Sequence, residues 1–325
     1  MPGRVTCIGA AALDRKLYLH APPQAGTSNP ARMAVADGGV ARNVAETLAR
    51  LGVEVAIVSR VGDDETGRGV LANLAAVGVD TSGVVAVPGA HTAEYVAVLA
   101  GGALVLGVAA MDLLDGMGVG DLHRGWPPDG AGDWVFIDCN CPEPVLGQAV
   151  ARARAGGARL AVDAVSTPKV VRLPADLTGI SLLFCNTLEA RRWLARASAS
   201  PGGTGADPPA DAPGLAAGLR AAGAAAVVLT DGPGGVAVVD VDGLREVPTT
   251  PATPIDETGA GDALVAGALA GLLAGRPLVE AVAAGTAVAA LTVESERTVR
   301  PDLSPGLVER AAARRGPAGD SRGRR

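Results

Sequence analysis

The feature that most constrains the fold is an alternation of two kinds of apolar segment along most of the chain. Short runs rich in β-branched residues, such as Val5–Ile8 and Val55–Val58, alternate with longer runs rich in Ala and Leu, such as 40–51 and 65–77. Strands that alternate with amphipathic helices are typical of βαβ units, in which the strands pair in parallel. The sequence therefore predicts an α/β fold, with a doubly wound, mainly parallel sheet and helices on both faces.

Some segments interrupt this alternation. Residues 16–35 and 92–109 have an extended, alternating pattern without a helix, and we expect them to form a small β lid beside the main sheet. Residues 198–213 are rich in Ser, Pro, Gly and Ala, which predicts a surface loop between two helices. Residues 315–325 are rich in Arg and Gly, and we expect a disordered tail there, with a partner-binding segment as the alternative.

Composition and charge argue against several classes of function. Hydrophobic residues make up 48% of the 325 residues, and the net charge of −6 comes without a basic stripe, which argues against nucleic-acid binding. The longest apolar stretches, 263–274 and 281–293, are shorter than the ~20 residues of a membrane span. No signal peptide is apparent, so we expect a cytoplasmic protein without membrane contact. The cysteines form no Cys-x-x-Cys pair, which predicts reduced thiols and no zinc site.

The strongest functional pattern is the segment from Thr258 to Asp262, Thr-Gly-Ala-Gly-Asp, which opens an apolar helix. A helix N-terminus has unpaired backbone N–H groups and a partial positive charge, and small residues let a phosphate approach them. A carboxylate in the first turn is often only an N-cap. Beside an anion-binding loop, however, a carboxylate can accept the proton of a hydroxyl that attacks a phosphate. The segment therefore indicates phosphoryl transfer with Asp262 as the base.

A second helix is opened by the pair Gly38-Gly39 and carries Asn43 in its first turn. A Gly-Gly pair lets a ligand contact backbone N–H groups, and the Asn43 amide can bind hydroxyls. Helices opened by glycine are also common where no ligand binds, so this pattern alone indicates little.

Two further patterns follow predicted strands, and each has two interpretations. Asn186 and Glu189 share one face of a first helical turn, where they can hold a hydrated Mg²⁺ or form a capping box. The glycine-rich turn after Thr230 lies at the end of a strand, where α/β sheets bind ligands, although a simple hairpin turn explains it as well.

Together these segments resemble the ribokinase-like (PfkB) carbohydrate kinases. The resemblance covers about residues 4–312 and includes their order: an Asp near the first strand, the Gly-Gly helix, Asn-x-x-Glu, the Thr-x-Gly turn and the Gly-Ala-Gly-Asp loop. It implies a ribokinase-like kinase domain over residues 1–314. It also implies ATP and Mg²⁺ as cofactors, K⁺ as a monovalent cation, and a homodimer formed through the lid.

The resemblance implies roles for single residues on the phosphate side of the site. Asp262 would be the base, and the anion hole would be formed by Gly259, Ala260 and Gly261. Asn186 and Glu189 would serve the Mg·ATP phosphates, with Glu189 binding Mg²⁺ through water. The nucleotide site would be lined by Thr230, Gly232 and Gly235. The monovalent cation would lie near Asp256, Thr258 and Ser295.

On the substrate side, the resemblance implies that Asp14, Gly39 and Asn43 contact the sugar. Within the family, the sequence is most similar to the pseudouridine kinases, through Thr27-Ser28-Asn29-Pro30 in the lid and the segment 163–169, which ends at Lys169. This likeness implies that Ser28 and Asn29 bind the edge of a uracil ring and that Lys169 belongs to the substrate site. An Asn-Pro turn is the alternative explanation of the lid segment.

Some positions depart from the family pattern. Glu257 stands where the family usually has Thr, beside the predicted cation site, and Ala12 and Ala100 stand where Asn and Asp are common on the substrate side. The sequence predicts an ATP-dependent kinase of the 5′-hydroxyl of a ribosyl nucleoside, with pseudouridine as the first choice. The alternatives are a kinase of another nucleoside or a free sugar, and an inactive regulator that binds sugars or nucleosides.

Overall fold

A central sheet of eight strands organises the chain. The structure is a computed structural model that describes residues 3–101, 103–126, 133–156, 158–200 and 205–315. Six strands run parallel: β1 (Val5–Ile8), β4 (Val55–Val58), β9 (Trp134–Asp138), β10 (Arg159–Asp163), β11 (Leu182–Asn186) and β12 (Val227–Thr230). β13 (Val236–Asp240) and β14 (Gly243–Val247) add an antiparallel edge, and the order is β14-β13-β12-β11-β10-β9-β1-β4.

Helices cover both faces of this sheet. The longer ones are α1 (Val40–Arg50), α2 (Glu65–Ala76), α5 (Glu143–Arg154), α6 (Thr187–Ala199), α7 (Ala212–Ala221), α8 (Ala260–Leu273), α9 (Leu278–Val293) and α10 (Pro305–Ala312). The short helices α3 (Asp112–Asp115) and α4 (Val119–Gly125) precede β9. Successive side chains of a strand point to opposite faces, so the neighbours Phe136 and Ile137 of β9 belong to different apolar clusters. The predicted doubly wound α/β fold is confirmed.

Small residues let the last long helices of the fold pack closely. A Cβ on Gly267 of α8 would lie 2.7 Å from the Cα of Gly285 in α9, and one on Gly271 would lie 2.9 Å from the Cα of Ala281. The chain contains only 2% aromatic residues, so close backbone approach rather than large side chains fills this region. This packing holds α8 closely against α9.

A second, four-stranded sheet lies at the segments predicted to form the lid. Its order is β3 (Ala31–Gly38), β2 (Ala12–Leu19), β7 (Glu94–Ala100) and β8 (Ala103–Ala110). β2 begins earlier than the predicted segment 16–35, which places Asp14 within the small sheet rather than before it. A third, two-stranded sheet is formed by β5 (Arg60–Gly62) and β6 (Val85–Val87).

Several smaller predictions have structural counterparts. The predicted loop 198–213 does lie between two helices, because α6 ends at Ala199 and α7 begins at Ala212. All four cysteines are buried and free. Across the residues that the structure describes, no helix combines the length and apolar character that crossing a bilayer requires. The predicted tail lies outside the described residues from position 316 onward.

Candidate active site

Polar side chains mark the carboxyl ends of neighbouring parallel strands. β9 ends at Asp138, which is in register with Asp163 at the end of β10, and β11 ends at Asn186, in register with Thr230 at the end of β12. Burial, with added repulsion from the charges of Glu189 and Asp262, raises the pKa of Asp163. In open α/β sheets this edge is where ligands bind. The predicted nucleotide residues Asn186 and Thr230 therefore lie side by side at the expected edge.

The predicted anion hole lies at the start of α8. Gly259 is the N-cap with φ of 82°, and a Cβ there would lie 2.4 Å from the carbonyl oxygen of Thr298, so only glycine fits. Ala260 and Gly261 are the first helical residues, and a Cβ on Gly261 would meet nothing within 4 Å. The N–H groups of a first turn have no intrahelical acceptor, and here that of Ala260 donates to the carbonyl oxygen of Glu257, before the helix, at 3.3 Å. The helix end is therefore open to a phosphate at Gly261.

The carboxylate of Asp262 is joined to the helix opened by the glycine pair. Asn43 Nδ2 donates a 2.8 Å hydrogen bond to Asp262 Oδ2. Gly39 has φ of 94°, and a Cβ there would lie 2.4 Å from the carbonyl oxygen of Ala10. A Cβ on Gly38 would lie 2.2 Å from the Asp14 carboxyl. The glycine pair thus lets α1 begin close to β1 and β2, and Asn43, predicted as a sugar contact, lies beside Asp262, the predicted base.

Two carboxylates of this site have pKa values shifted toward neutrality. Burial is the main cause that raises the pKa of Asp262 to about 7, with repulsion from Asp138 and Asp14 adding to it and the Asn43 hydrogen bond opposing it. Burial also raises the pKa of Asp14 to about 6, against the attraction of Lys16 and Arg42. A carboxylate with a pKa near 7 is a suitable general base at neutral pH.

The sequence interpretation missed the buried carboxylate of Asp138. Its Oδ2 accepts the N–H groups of Ala10 and Ala41, both at 2.9 Å, and its Oδ1 accepts that of Asn140 at 2.9 Å. Asp138 therefore ties the ends of β1 and β9 to the start of α1, which carries Asn43. Its position as the last residue of an apolar run was the available signal. Burial raises the pKa of Asp138, against these three hydrogen bonds.

The loop before α8 is contacted by the ammonium group of Lys16 on β2, which the sequence interpretation also missed. Lys16 Nζ donates to Asp256 Oδ2, with which it forms an ion pair, and to Thr258 Oγ1 at 2.9 Å. Burial acts to raise the pKa of Asp256, but the hydrogen bonds from Lys16 and Thr258 outweigh it and hold that pKa below its usual value. The predicted ligands Asp256 and Thr258 do lie together. A cation there would compete with an ammonium group that the chain itself supplies.

The third predicted cation ligand, Ser295, follows the end of α9. Its hydroxyl oxygen accepts the N–H of Arg297 at 3.1 Å, and its own N–H donates to the carbonyl oxygen of Thr292 at 3.0 Å. The loop before α8 is attached to the same helix end, since the N–H groups of Ile255 and Asp256 both donate to the carbonyl oxygen of Val293. Ser295 thus belongs to the turn that adjoins the Asp256 loop.

On the nucleotide side, Asn186 and Glu189 form a capping box. Asn186 Oδ1 accepts the N–H of Glu189 at 2.9 Å, and Glu189 Oε2 accepts the N–H of Asn186 at 2.9 Å. Burial raises the pKa of Glu189. Within the described ranges, no three His, Cys, Asp or Glu side chains converge on a position for a metal ion.

The glycine-rich turn after β12 is tight and borders a cavity. Gly232 has φ of 53° and Gly235 φ of 106°, values that side-chain-bearing residues rarely adopt. Thr230 Oγ1 lies 3.5 Å from the carbonyl oxygen of Cys185. A cavity of about 410 Å³ beside the turn is lined in part by Thr187, Asp231 and Gly235. The turn and Thr187, the first residue of α6, thus border one concave region of the sheet edge.

The chain that forms this site also matches a known family. A model of the pfkB family of carbohydrate kinases matches residues 3–304. The chain belongs to the pfkB carbohydrate kinases. As a member of that family, it is a phosphotransferase that acts on a hydroxyl group of a sugar or nucleoside.

Individual relatives of this pfkB kinase cover nearly its whole length. It is 29% identical over 302 residues to the pseudouridine kinase of Escherichia coli (strain K12), a match that covers 92% of this chain and 93% of that protein. A carbohydrate kinase from Agrobacterium tumefaciens has a solved structure with a TM-score of 0.76 and 30% identity, covering 96% and 97% of the two chains. Arabidopsis thaliana ribokinase, solved with ribose and ATP, has a TM-score of 0.78 at 20% identity, covering 96% and 99%, and is alike in fold.

The lid residues predicted to bind the nucleobase lie in the loop between β2 and β3. Asn29 Oδ1 accepts the N–H of Gln24 at 2.8 Å, and its Nδ2 donates to the carbonyl oxygens of Gln24 and Thr27, at 2.9 and 3.1 Å. Ser28 is exposed. In this pfkB kinase the Asn29 side chain therefore holds its own loop, as an Asn-Pro turn would.

The segment that ends at Lys169 has a strained backbone. Val165 adopts φ of 66°, a conformation that β-branched residues avoid, and its N–H donates to Asp163 Oδ1 at 2.7 Å. Lys169 Nζ donates to Oδ1 of Asn140, which follows Asp138 directly. Burial lowers the pKa of Lys169. Lys169 is thus joined to the same strand end as Asp138.

Proposed function

We propose that this pfkB kinase transfers the γ-phosphoryl group of ATP to the 5′-hydroxyl of a ribosyl nucleoside, with pseudouridine as its substrate. The observation that carries the proposal is the position of Asp262. Its carboxylate has a pKa of about 7, lies in the first turn of α8 beside the open position at Gly261, and is held by Asn43. A base and an anion hole in one helical turn supply both requirements of phosphoryl transfer.

In the proposed reaction, Asp262 accepts the proton of the 5′-hydroxyl while the new O5′–Pγ bond forms. The bond between Pγ and the bridging oxygen of ATP breaks in line with it, and ADP leaves with the electron pair. The N–H groups of residues 259–261 stabilise the charge on the equatorial oxygens of the phosphoryl group. The proton stays on Asp262 until the products leave, when solvent removes it.

The nucleotide would lie along the carboxyl edge of β11 and β12. Gly235 in the turn and Thr187 border the cavity there. Thr230 and Gly232 are in the same turn region, and the capping box of Asn186 and Glu189 surrounds Thr187 in sequence. Bound Mg²⁺ would neutralise charge on the β- and γ-phosphates, with Glu189 contacting one of its waters. K⁺ is not part of the proposal, because Lys16 already lies on its predicted ligands.

The substrate would lie between Asp262 and the small sheet. Asp14 on β2 is close enough to Asp262 for the two charges to repel, which suits a contact with the ribose hydroxyls. The choice of pseudouridine is supported by the E. coli relative and by the Ser28-Asn29-Pro30 segment. Because the Asn29 side chain is hydrogen-bonded within its own loop, we expect Ser28 to contact the nucleobase first. The loop would then rearrange when the lid closes.

The small sheet would also form a homodimer. Its strands β3 and β8 expose apolar side chains: Met33 (56%), Val35 (48%), Leu104 (58%), Leu106 (55%) and Val108 (48%). Exposed apolar side chains grouped on one sheet are typical of an interface. A second copy of the chain could cover this surface and hold the lid strands in place.

Since ATP is supplied in the cytoplasm, we place the enzyme there.

A substrate panel tests the proposal. The protein is incubated with Mg·ATP and pseudouridine, uridine, adenosine or ribose, and ADP and the phosphorylated product are both measured. We expect the highest kcat/KM with pseudouridine and a rate about 10²–10⁴ lower from the Asp262→Asn variant. Turnover of ribose or adenosine without turnover of pseudouridine would show that pseudouridine is not the substrate. Absence of product from every compound, in protein that binds nucleosides, would identify a non-catalytic regulator.

A further inference from the structure

The buried side chain of Lys16 joins the small sheet to the loop that leads into α8. Lys16 is 9% exposed, and its ammonium group pairs with Asp256 and donates to Thr258 Oγ1 at 2.9 Å. The loop closes around it, since the N–H of Thr258 donates to Asp256 Oδ1 at 2.9 Å. An ammonium group taken out of water requires such partners. One positive charge is therefore enclosed next to the residues that begin the anion hole.

The direction of the Lys16 side chain is set by β2. Lys16 is two residues after Asp14, so both side chains lie on one face of the strand. Arg15, between them, points the other way and pairs with Glu94 on β7 at 2.8 Å. The strand thus directs one cation toward the Asp256 loop and its neighbour away from it.

Other oxygen atoms that a metal cation would need in this region already accept hydrogen bonds. These are carbonyl oxygens at the end of α9 and one hydroxyl. The pairs are Leu291 O with Arg300 Nη1, Thr292 O with Ser295 N, Val293 O with Ile255 N and Asp256 N, and Ser295 Oγ with Arg297 N. With Lys16 on Asp256 and Thr258, the oxygens predicted to bind a monovalent ion have donors from the chain itself. A carbonyl oxygen can accept a hydrogen bond and still bind a cation, so what makes these residues unfit for K⁺ is the ammonium group of Lys16 on Asp256 and Thr258.

We propose that the ammonium group of Lys16 takes the place of the monovalent cation beside the anion hole. An ammonium group and K⁺ carry the same charge and bind the same oxygen ligands, and two such charges on one carboxylate would repel. Lys16 fixes the loop from Asp256 to Thr258, and so holds the N–H groups of residues 259–261 in position. The enzyme works without K⁺. The inference rests on the proposed function only for its effect on rate.

Kinetics in the absence of alkali ions provides the first test. The wild-type protein and Lys16→Met are prepared with choline as the only monovalent salt, and K⁺ then replaces choline up to about 100 mM at constant ionic strength. We expect the wild-type rate to change by less than about twofold. Lys16→Met should lose about tenfold or more without K⁺ and recover part of its rate with K⁺ or NH₄⁺. Arg15→Met removes the same charge one residue away and should show no response to K⁺.

Two measurements do not depend on activity. K⁺ in place of choline should raise the Tm of Lys16→Met and leave that of the wild type unchanged. Crystals of the wild type soaked in Rb⁺ should show no anomalous peak between Asp256 and Thr258, whereas crystals of Lys16→Met should show one. These readouts stand even if no nucleoside or sugar is phosphorylated, so failure of the proposed function and failure of the Lys16 inference remain distinct.

A saturable activation of the wild type by K⁺, or Rb⁺ bound at Asp256 in the wild type, would overturn the inference. A Lys16→Met protein that keeps full activity without K⁺ and shows no change of Tm with K⁺ would overturn it as well. If Lys16→Met does not fold, the wild-type measurements still decide, and Lys16→Arg, which keeps the charge, should remain independent of K⁺.

Discussion

The side-chain amide of Asn43 donates a hydrogen bond of 2.8 Å to Oδ2 of Asp262, across 219 positions of sequence. The bond joins the first turn of α1 to the first turn of α8. Burial raises the pKa of Asp262 to about 7, and this bond acts in the opposite direction, because a donor favours the charged carboxylate. It leaves Oδ1 of Asp262 for a proton from the substrate. Asn43 therefore lowers the pKa of the proposed base and fixes the orientation of its carboxylate.

Replacing the base should abolish most of the activity. Asp262→Asn keeps the size of the side chain but cannot accept the hydroxyl proton, so we expect kcat to fall by about 10²–10⁴ with little change in ATP affinity. Steady-state kinetics and calorimetric ATP binding measure the two quantities. The exposed neighbour Glu257→Gln is the control and should retain its rate. Near-wild-type turnover in a folded Asp262→Asn protein would contradict the assignment.

The rate should depend on pH through Asp262. The carboxylate must be unprotonated to act as a base, so kcat/KM should rise with pH and level off above an apparent pKa near 7. Asn43→Ala removes the bond that lowers this pKa and should move the midpoint to higher pH, with a larger loss of rate at pH 6 than at pH 9. Because Asp14 titrates near 6 in the same site, the midpoint belongs to the coupled pair. An unchanged midpoint in Asn43→Ala would show that the amide only packs there.

The protonation of Asp262 should also affect stability. Rising pH should increase the rate but decrease the contribution of Asp262 to the free energy of unfolding. In the unfolded chain an Asp loses its proton near pH 3.9, whereas folded Asp262 keeps it to about pH 7. The folded state therefore binds more protons in this window, and the contribution of Asp262 to the free energy of unfolding falls as pH rises from about 4 to about 7. Asp262→Asn should raise the Tm by about 2–4 °C at pH 8 and leave it unchanged at pH 4. An equal rise at both pH values would indicate a packing effect instead.

The buried carboxylate of Asp138 should matter mainly for stability. Asp138→Ala would leave the N–H groups of Ala10, Ala41 and Asn140 without acceptors, at a cost of about 1–3 kcal/mol for each buried group that water cannot reach. We expect a large decrease in the free energy of unfolding measured with urea, because the start of α1 loses its contact with the end of β9. Asp63→Ala, at an exposed site, is the control. A Tm within a degree of the wild type would show that water replaces the carboxylate.

The sequence was sufficient for the main sheet because local patterns determine it. Val5–Ile8 and Val55–Val58 were predicted with their observed bounds, and both are apolar strands buried on two faces. The helix at 40–51 also agrees closely with α1. The Gly-Ala-Gly-Asp pattern likewise predicted the helix end at α8, because glycine at Gly259 is required by the backbone itself.

The contacts between distant segments were not predictable in this way. Lys16 looked like an ordinary charge on a lid strand, and only the fold brings Asp256 to it, 240 positions later. Asp138 looked like a polar residue after a strand, yet its three acceptor bonds depend on how β1 and α1 pack against β9. Asn43 was predicted near the sugar, and its bond to the base follows from the approach of two helices. Each of these roles is a tertiary contact that no local pattern contains.

A matched pair of glycine variants separates the structural and chemical roles of the anion hole. Gly259 has φ of 82° and lies against the carbonyl oxygen of Thr298, so Gly259→Ala should destabilise the fold, by about 1–3 kcal/mol in urea unfolding, and lower activity with it. Gly261 is in the first turn of α8 with open space around it, so Gly261→Ala should leave stability unchanged or raise it by about 0.5–1 kcal/mol. The added methyl group would nevertheless stand where the phosphate must approach, and we expect a higher KM for ATP or a lower kcat. If Gly261→Ala is both stable and fully active, the phosphate does not reach α8 over Gly261, and the anion hole must be assigned to other N–H groups of that turn.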